Sequence, residues 1–280
     1  MKKWLMGLVL VNALAGSALA ETAVERGDYL VNGVLTCGNC HTPRGPGGTY
    51  DMARQLSGGP QTWDEDTFKV KGANITPDRE TGIGKWSGDD IRRAMLTGIR
   101  PDGRQIAPMM PYGYYKVFTT ADIDAVVAYL KSVTAVSNSV EAPIYKAALQ
   151  VSTPPEADRS MSDTDLLDPV KRGFYLVTIG HCMECHTPLA KGQPDFARLG
   201  GGGQTFQGPF GISVSRNITS HPVAGIGQWS DSQIKAAITQ GVRKDGSKLK
   251  PPMAFSSYAR MTEQDLNAIV AYLRTVPAKE

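Results

Sequence analysis

The chain has 280 residues, 41% of them apolar and 20% charged, with a formal net charge of +3. That composition is globular rather than disordered, and so small a charge excess nominates no nucleic-acid partner. The length suits two ordinary domains.

At the amino terminus, Lys2 and Lys3 precede an apolar run from Trp4 through Ala15, followed by Gly16-Ser17-Ala18-Leu19-Ala20. The Ala18-x-Ala20 pattern fits cleavage before Glu21, so residues 1–20 read as a secretory signal peptide addressing the protein to the periplasm. The alternative is an uncleaved anchor. Against it, the run is shorter than the roughly 20 apolar residues of a spanning helix and is broken by Gly7 and Asn12. No later segment is long and apolar enough to span, and no transmembrane segment is expected in the mature chain. Losing the two leader lysines leaves a formal net charge of +1.

Beyond the leader, Cys-x-x-Cys-His occurs twice, as Cys37-Gly38-Asn39-Cys40-His41 and as Cys182-Met183-Glu184-Cys185-His186, and these copies use all 4 cysteines. This is the pattern of covalent c-type haem attachment: two thiols reach the two vinyl groups of one porphyrin, and the adjacent imidazole faces the iron. Zinc sites and thioredoxin-like pairs share the Cys-x-x-Cys core. Neither explains a histidine directly after both pairs, and a zinc ribbon would space its pairs by roughly 15–20 residues. Two covalently attached haems are therefore expected, with Cys37, Cys40, Cys182 and Cys185 bound to porphyrin and His41 and His186 to iron.

Around these motifs the two halves repeat. Arg26-Gly27-Asp28-Tyr29-Leu30-Val31 matches Arg172-Gly173-Phe174-Tyr175-Leu176-Val177 and reads as a first helix running into the haem motif. Thr42-Pro43 and Thr187-Pro188 follow the histidines, and Gly-rich loops come next, Gly58-Gly59-Pro60 and Gly200 to Gly203. Asn74-Ile75-Thr76 then matches Asn217-Ile218-Thr219, and Gly82-Ile83-Gly84-Lys85-Trp86-Ser87 matches Gly225-Ile226-Gly227-Gln228-Trp229-Ser230, at a constant offset of 143. Helices are expected near Asp89 and Asp231, each closed by a glycine, Gly98 and Gly241. The last helices carry apolar stripes, Ile123, Val126, Val127, Leu130 and Leu266, Ile269, Val270, Leu273. They open on Thr119 with Asp122 and on Thr262 with Asp265, near matches to a capping box. The expected fold class is all-α, with one haem domain over residues 21–135 and a second over 169–280. Residues 136–168, which contain Pro154-Pro155, read as a linker, with a short helix possible over Tyr145 to Val151.

The sixth iron ligand separates an electron carrier from a haem enzyme. Methionine raises the reduction potential and closes the coordination shell. Candidates lie in Pro108-Met109-Met110-Pro111-Tyr112 and Pro251-Pro252-Met253-Ala254-Phe255. The register places Met253 on Met110 and Pro252 on Met109, so Met110 and Met253 are the expected ligands and Met109 the alternative; ordinary core packing competes with both. Trp86 and Trp229 are candidates for an indole N–H beside a haem propionate, or for packing on the porphyrin edge. Asn74 and Asn217 either pin a loop or bond a propionate. His181 and His221, the remaining histidines, read as surface or hydrogen-bonded residues.

The run Asn74-Ile75-Thr76-Pro77-Asp78, then Gly82-Ile83-Gly84-x-Trp86-Ser87, then Pro108-x-Met110-Pro111-Tyr112, resembles the class I cytochrome c domains in multihaem cytochrome subunits of bacterial periplasmic alcohol, gluconate and related dehydrogenases. The closing Ala128-Tyr129-Leu130 and Ala271-Tyr272-Leu273 extend the likeness over both halves. What it implies is an all-helical fold with histidine and methionine ligands and electron acceptance from a partner dehydrogenase. The best-known members have three haem domains and often a membrane-associating tail, where this chain has two repeats.

The expected function is a periplasmic dihaem cytochrome without substrate chemistry of its own. It would carry single electrons from a dehydrogenase to another cytochrome or a terminal oxidase. The alternative is a dihaem enzyme, peroxidase-like or a sulfur-compound dehydrogenase, with one displaceable axial ligand. Lys244, Lys248 and Lys250, with Lys235 and Arg243, cluster before Met253 and suggest a cationic docking face for an acidic partner.

Overall fold

A capping box at Thr22 and Glu25 starts helix α1 (Ala23–Tyr29), which continues as a π turn over Leu30–Val34 and leads into the single-turn helix α2 (Gly38–His41). The computed structural model describes residues 21–280 apart from 46, 47 and 209, so the signal peptide expected over residues 1–20 lies outside the described residues. After α2 come a short hairpin of β1 (Thr62–Asp64) and β2 (Phe68–Lys71), helix α3 (Gly88–Thr97), a 3-10 turn over Tyr112–Val117 and helix α4 (Thr120–Ser132). Strand β3 (Ile144–Tyr145) then adds to the free edge of β2.

The second half repeats this order. Helices α5 (Pro169–Ile179) and α6 (Cys182–Cys185) lead to two hairpins, β4 (Leu189–Ala190) with β5 (Gln193–Pro194) and β6 (Thr205–Gly208) with β7 (Gly211–Val214). Helices α7 (Asp231–Gln240), α8 (Phe255–Tyr258) and α9 (Glu263–Thr275) complete it. Both middle helices carry full capping boxes, Ser87 with Asp90 and Ser230 with Gln233, and both stop at a left-handed glycine, Gly98 at φ 70° and Gly241 at φ 63°.

The fold is not all-α, as the sequence led us to expect: 38% of it is helix and 11% strand. The correction lies between each haem motif and its Asn-Ile-Thr, where the sequence suggested only Gly-rich loops. There β1–β2 and β6–β7 pair antiparallel, and they stand at the same 143-residue offset as the flanking segments. The chain after α4 also differs from expectation. No helix forms over Tyr145 to Val151; Ile144 and Tyr145 take up the unpaired edge of β2 instead, and the Lys146 N–H donates to the Thr67 carbonyl at 2.8 Å. An open strand edge outcompetes a short, weakly apolar helix.

In each half the first and last helices cross closely. A Cβ on Gly27 would sit 2.1 Å from the Ala125 carbonyl oxygen, and one on Gly173 would sit 2.0 Å from that of Ala268. Only glycine permits such an approach. Across the seam between halves, the 3-10 turn after Met110 packs on α5, and α8, after Met253, packs on the π turn of the first half. The contacts across the seam are thus reciprocal.

Gly27→Ala and Gly173→Ala should each destabilise the protein by about 1–3 kcal/mol through overpacking against backbone. Gly88→Ala, whose Cβ would meet only Val127 Cγ1 at 3.5 Å, should be neutral or stabilising by up to about 1 kcal/mol. Denaturant melts of the three variants test the contrast.

Candidate functional site

Each Cys-x-x-Cys-His turn leaves its imidazole held at one nitrogen. His41 Nδ1 is 2.7 Å from the carbonyl oxygen of Ala73, and His186 Nδ1 is 2.6 Å from that of Arg216, a residue at the equivalent register position. A carbonyl can only accept, so Nδ1 must carry the proton, and the Nε2 lone pair is left free for a metal. Burial pushes both imidazoles down in pKa, against a smaller upward pull from these bonds. Burial thus favours the neutral imidazole, the form that a metal ligand requires.

The four thiols are unpaired by disulfide. Burial pushes Cys37 and Cys182 up to about 12 and Cys40 up to about 11, and raises Cys185 as well. Such thiols are unlike the low-pKa cysteine of a redox pair. Among the described residues, no group of three or more His, Cys, Asp or Glu could hold a metal ion, which argues against a zinc site. Protein ligands alone do not complete a site here. A planar cofactor that brings its own four nitrogens does fit.

One cavity of about 2760 Å³ runs over both motifs, well beyond the roughly 300–1,000 Å³ of a single ligand pocket. Cys37, Cys40, His41, Trp86 and Met110 line it from the first half, and Cys182, Cys185, His186, Trp229 and Met253 from the second. Met109 also lines it; of these three candidate methionines, Met110 and Met253 are the two packed against the hydrophobic core. The Arg100 guanidinium lies 5.1 Å from the Trp86 ring centroid.

Asn74 and Asn217 pin loops. Asn74 Nδ2 donates to the Val136 carbonyl at 2.8 Å and Asn217 Nδ2 to that of Lys279 at 2.7 Å, while each Oδ1 accepts from the threonine two residues on. His221 Nδ1 accepts two backbone N–H groups of its own turn. His181 pairs with Glu184 at 3.1 Å. Lys235 is turned to an ion pair with Glu263, away from the cluster. Arg243, Lys244, Lys248 and Lys250 remain at the cavity rim.

Other contributors were not singled out from sequence. Thr42 and Thr187, directly after the histidines, are 1% and 0% exposed, and their hydroxyls accept from the Leu56 and Gly200 N–H groups at 3.1 and 3.3 Å. They fold the following loop back over the motif. A Cβ on Gly59 or Gly72 would lie 1.8 Å from the Cys40 carbonyl oxygen. Their proximity to each motif was visible; the atoms they serve were not.

The cytochrome c family model matches residues 16–134 and again 170–277. The chain is 33% identical over 279 residues to the fructose dehydrogenase cytochrome subunit of Gluconobacter japonicus, covering 92% of this chain and 53% of that one. It is 29% identical over 296 residues to the gluconate 2-dehydrogenase cytochrome c subunit of Pantoea cypripedii, covering 98% and 64%. With a diheme cytochrome c-type protein of Cereibacter sphaeroides it shares 30% identity over 256 residues, covering 87% and 83%. The chain thus spans little more than half the length of the dehydrogenase subunits it resembles. With two matched regions, each holding a Cys-x-x-Cys-His turn, the chain belongs to the cytochrome c family, and its cofactor is covalently bound c-type haem.

Proposed function

We propose that the chain is a dihaem electron carrier with two closed iron sites, His41 with Met110 and His186 with Met253, each porphyrin held through the two cysteines of its motif. One observation carries this reading: two imidazoles with Nδ1 bound to backbone share a cavity with two register-matched methionines. When bound, haem supplies a one-electron couple between ferrous and ferric iron. The imidazole is oriented by its carbonyl, which removes the cost of fixing the ring when the oxidation state changes. As the second iron ligand, each methionine thioether would favour the reduced state and would leave no position for substrate. Trp86 and Trp229 line the cavity, and the indole N–H of each would donate to a carboxylate of the cofactor or its ring would pack on the porphyrin edge.

The names of the dehydrogenase subunits it resembles support a dehydrogenase as electron donor. The acceptor we propose is another cytochrome or a terminal oxidase. The leader-like residues 1–20 support a periplasmic location, and among the described residues no helix is long and apolar enough to cross a membrane. Lys244, Lys248 and Lys250 at the rim of the second site suit an acidic partner.

A redox titration followed in the visible and near infrared should give two one-electron steps with a methionine-to-iron band in the ferric form. Met110→Ala and Met253→Ala should each remove about half of that band and lower one potential by on the order of 100 mV, while Met109→Ala should leave both intact. A substantial high-spin fraction in the unaltered protein, reactive with peroxide or cyanide, would favour the dihaem-enzyme alternative and sink the carrier reading. Exchanging Lys244, Lys248 and Lys250 for Glu should slow reaction with the partner about tenfold or more at low salt. Equal rates would refute the docking face.

A further inference from the structure

Each half builds the same buried ion pair between its first and last helices. Arg26 grips Asp122 with Nε at 2.7 Å and Nη2 at 2.8 Å, and Arg172 Nε reaches Asp265 at 2.5 Å. The two carboxylates are at register-equivalent positions and are 6% and 0% exposed. Each has a further partner, which comes from the opposite half. Tyr175 Oη donates to Asp122 Oδ2 at 2.7 Å, and Tyr29 Oη donates to Asp265 Oδ2. The Thr262 N–H donates in turn to Tyr29 Oη at 3.2 Å.

This is a reciprocal lock. The first helix of each half is tied to the last helix of the other, and the same two elements carry the chemistry. Tyr29 and Tyr175 stand on the helices that run into Cys37 and Cys182; Asp122 and Asp265 open the helices that follow the Met110 and Met253 loops. Where the halves meet, the two motif segments come close: a Cβ on Gly180 would be 3.4 Å from the Val34 carbonyl oxygen and 3.6 Å from Cys182 Sγ. Tyr115 and Tyr258, again register-equivalent, are 2% and 8% exposed and lie between the motifs, both lining the shared cavity.

We propose that Tyr29 and Tyr175 are positioning residues that hold the two haem sites in one fixed mutual orientation, so that they exchange electrons inside the molecule. The inference rests on the assignment of haem to these two motifs. With haem bound at both motifs, the transfer would be of one electron from a reduced to an oxidised site, with no bond made and no proton moved. Burial, and then the bond to Asp265, push the Tyr29 phenol up to about 12, so it stays a donor across the physiological range. Each Arg–Asp pair forms within one half, whereas each of these tyrosine hydroxyls is spent on a carboxylate of the other.

The test is the double variant Tyr29→Phe, Tyr175→Phe, with Tyr112→Phe as control. The Tyr112 hydroxyl accepts from Gln105 Nε2 at 2.9 Å within one half. A hydrogen bond to a charged group is commonly strong enough that losing it changes an equilibrium about tenfold. The double variant should therefore retain two haems and methionine ligation, yet show amide hydrogen exchange in α1 and α5 at least tenfold faster, a larger radius in solution scattering, and slower electron equilibration between haems. The control should match the unaltered protein at the seam. If amide exchange, scattering and inter-haem equilibration in the double variant all equal those of the unaltered protein, the lock is refuted. Should the double variant fail to fold, Tyr29→Phe alone, with its half-buried ring, carries the same pair of outcomes at smaller amplitude. A haem count below two, or no methionine band in the unaltered protein, would overturn the haem assignment instead, and the amide-exchange result would still decide whether the seam depends on the two hydroxyls.

Discussion

The crossing of first and last helix in each half is the constraint on which the remaining geometry hangs. At Gly27 and Gly173 the helices touch backbone to backbone, and Arg26–Asp122 and Arg172–Asp265 fasten them beside the contact. One helix of the pair leads into the histidine, and the other follows the methionine loop. The crossing therefore governs how far apart the two prospective axial ligands stand. A buried ion pair is a poor source of net stability, because desolvation offsets most of its attraction. It is a good source of registry: an arginine facing anything but its carboxylate in that place would be left uncompensated. The cost of misplacement, more than the worth of the pair, fixes the crossing.

A single half would leave an apolar face open. Leu30, Val31, Val34 and Leu35, on the segment entering the first motif, are at most 2% exposed, as are Tyr175, Leu176, Val177 and Ile179 of the second. Phe118 of the first half meets the Tyr175 ring edge-on, with centroids 6.2 Å apart. Burial of such surface contributes about 25 cal/mol per Å² and has no direction. Direction at this seam comes from its polar contacts, the two hydroxyl-to-carboxylate bonds and the Arg260–Asp28 ion pair, which are satisfied together in one relative placement of the halves. Nondirectional burial supplies adhesion here, and a few buried polar atoms supply orientation.

Much of this was legible in the sequence, and the limits have physical causes. The haem motifs are local and covalent in meaning, so two pentapeptides sufficed. The middle helices near Asp89 and Asp231 and their closing glycines, Gly98 and Gly241, were readable for the same reason. Thr119-x-x-Asp122 and Thr262-x-x-Asp265 were only half readable. The threonine hydroxyls do cap, each accepting at 3.2 Å from the aspartate N–H. Their carboxylates do not reach back to complete a box, because an arginine more than 90 residues away competes for them. The hairpins show the opposite failure. Phe68-Lys69-Val70-Lys71 and Ile212-Ser213-Val214 alternate in the manner of strands, but the surrounding glycines outweighed a signal only four residues long. The Ala73 and Arg216 carbonyls could not be read at all, since a backbone acceptor leaves no trace in side-chain chemistry.

Symmetry of backbone does not bring symmetry of charge. Glu184 occupies in the second motif the place that Asn39 holds in the first, and its carboxylate lies near both attachment segments. Behind the larger effect of burial, it helps to raise the Cys40 and Cys185 thiols and the Tyr114 and Tyr115 phenols. Tyr114 itself has no repeat partner, since Ser257 stands at the equivalent position, and its hydroxyl is buried without a hydrogen-bond partner among the described residues. The methionine loops differ as well, Met110-Pro111 against Met253-Ala254. Because a partly buried charge is less screened than one in water, these few differences make the surroundings of the two motifs electrostatically unequal, even though their backbone clamps on His41 and His186 match in register. The repeat accounts for what the sites share, and the seam between the halves is where they diverge.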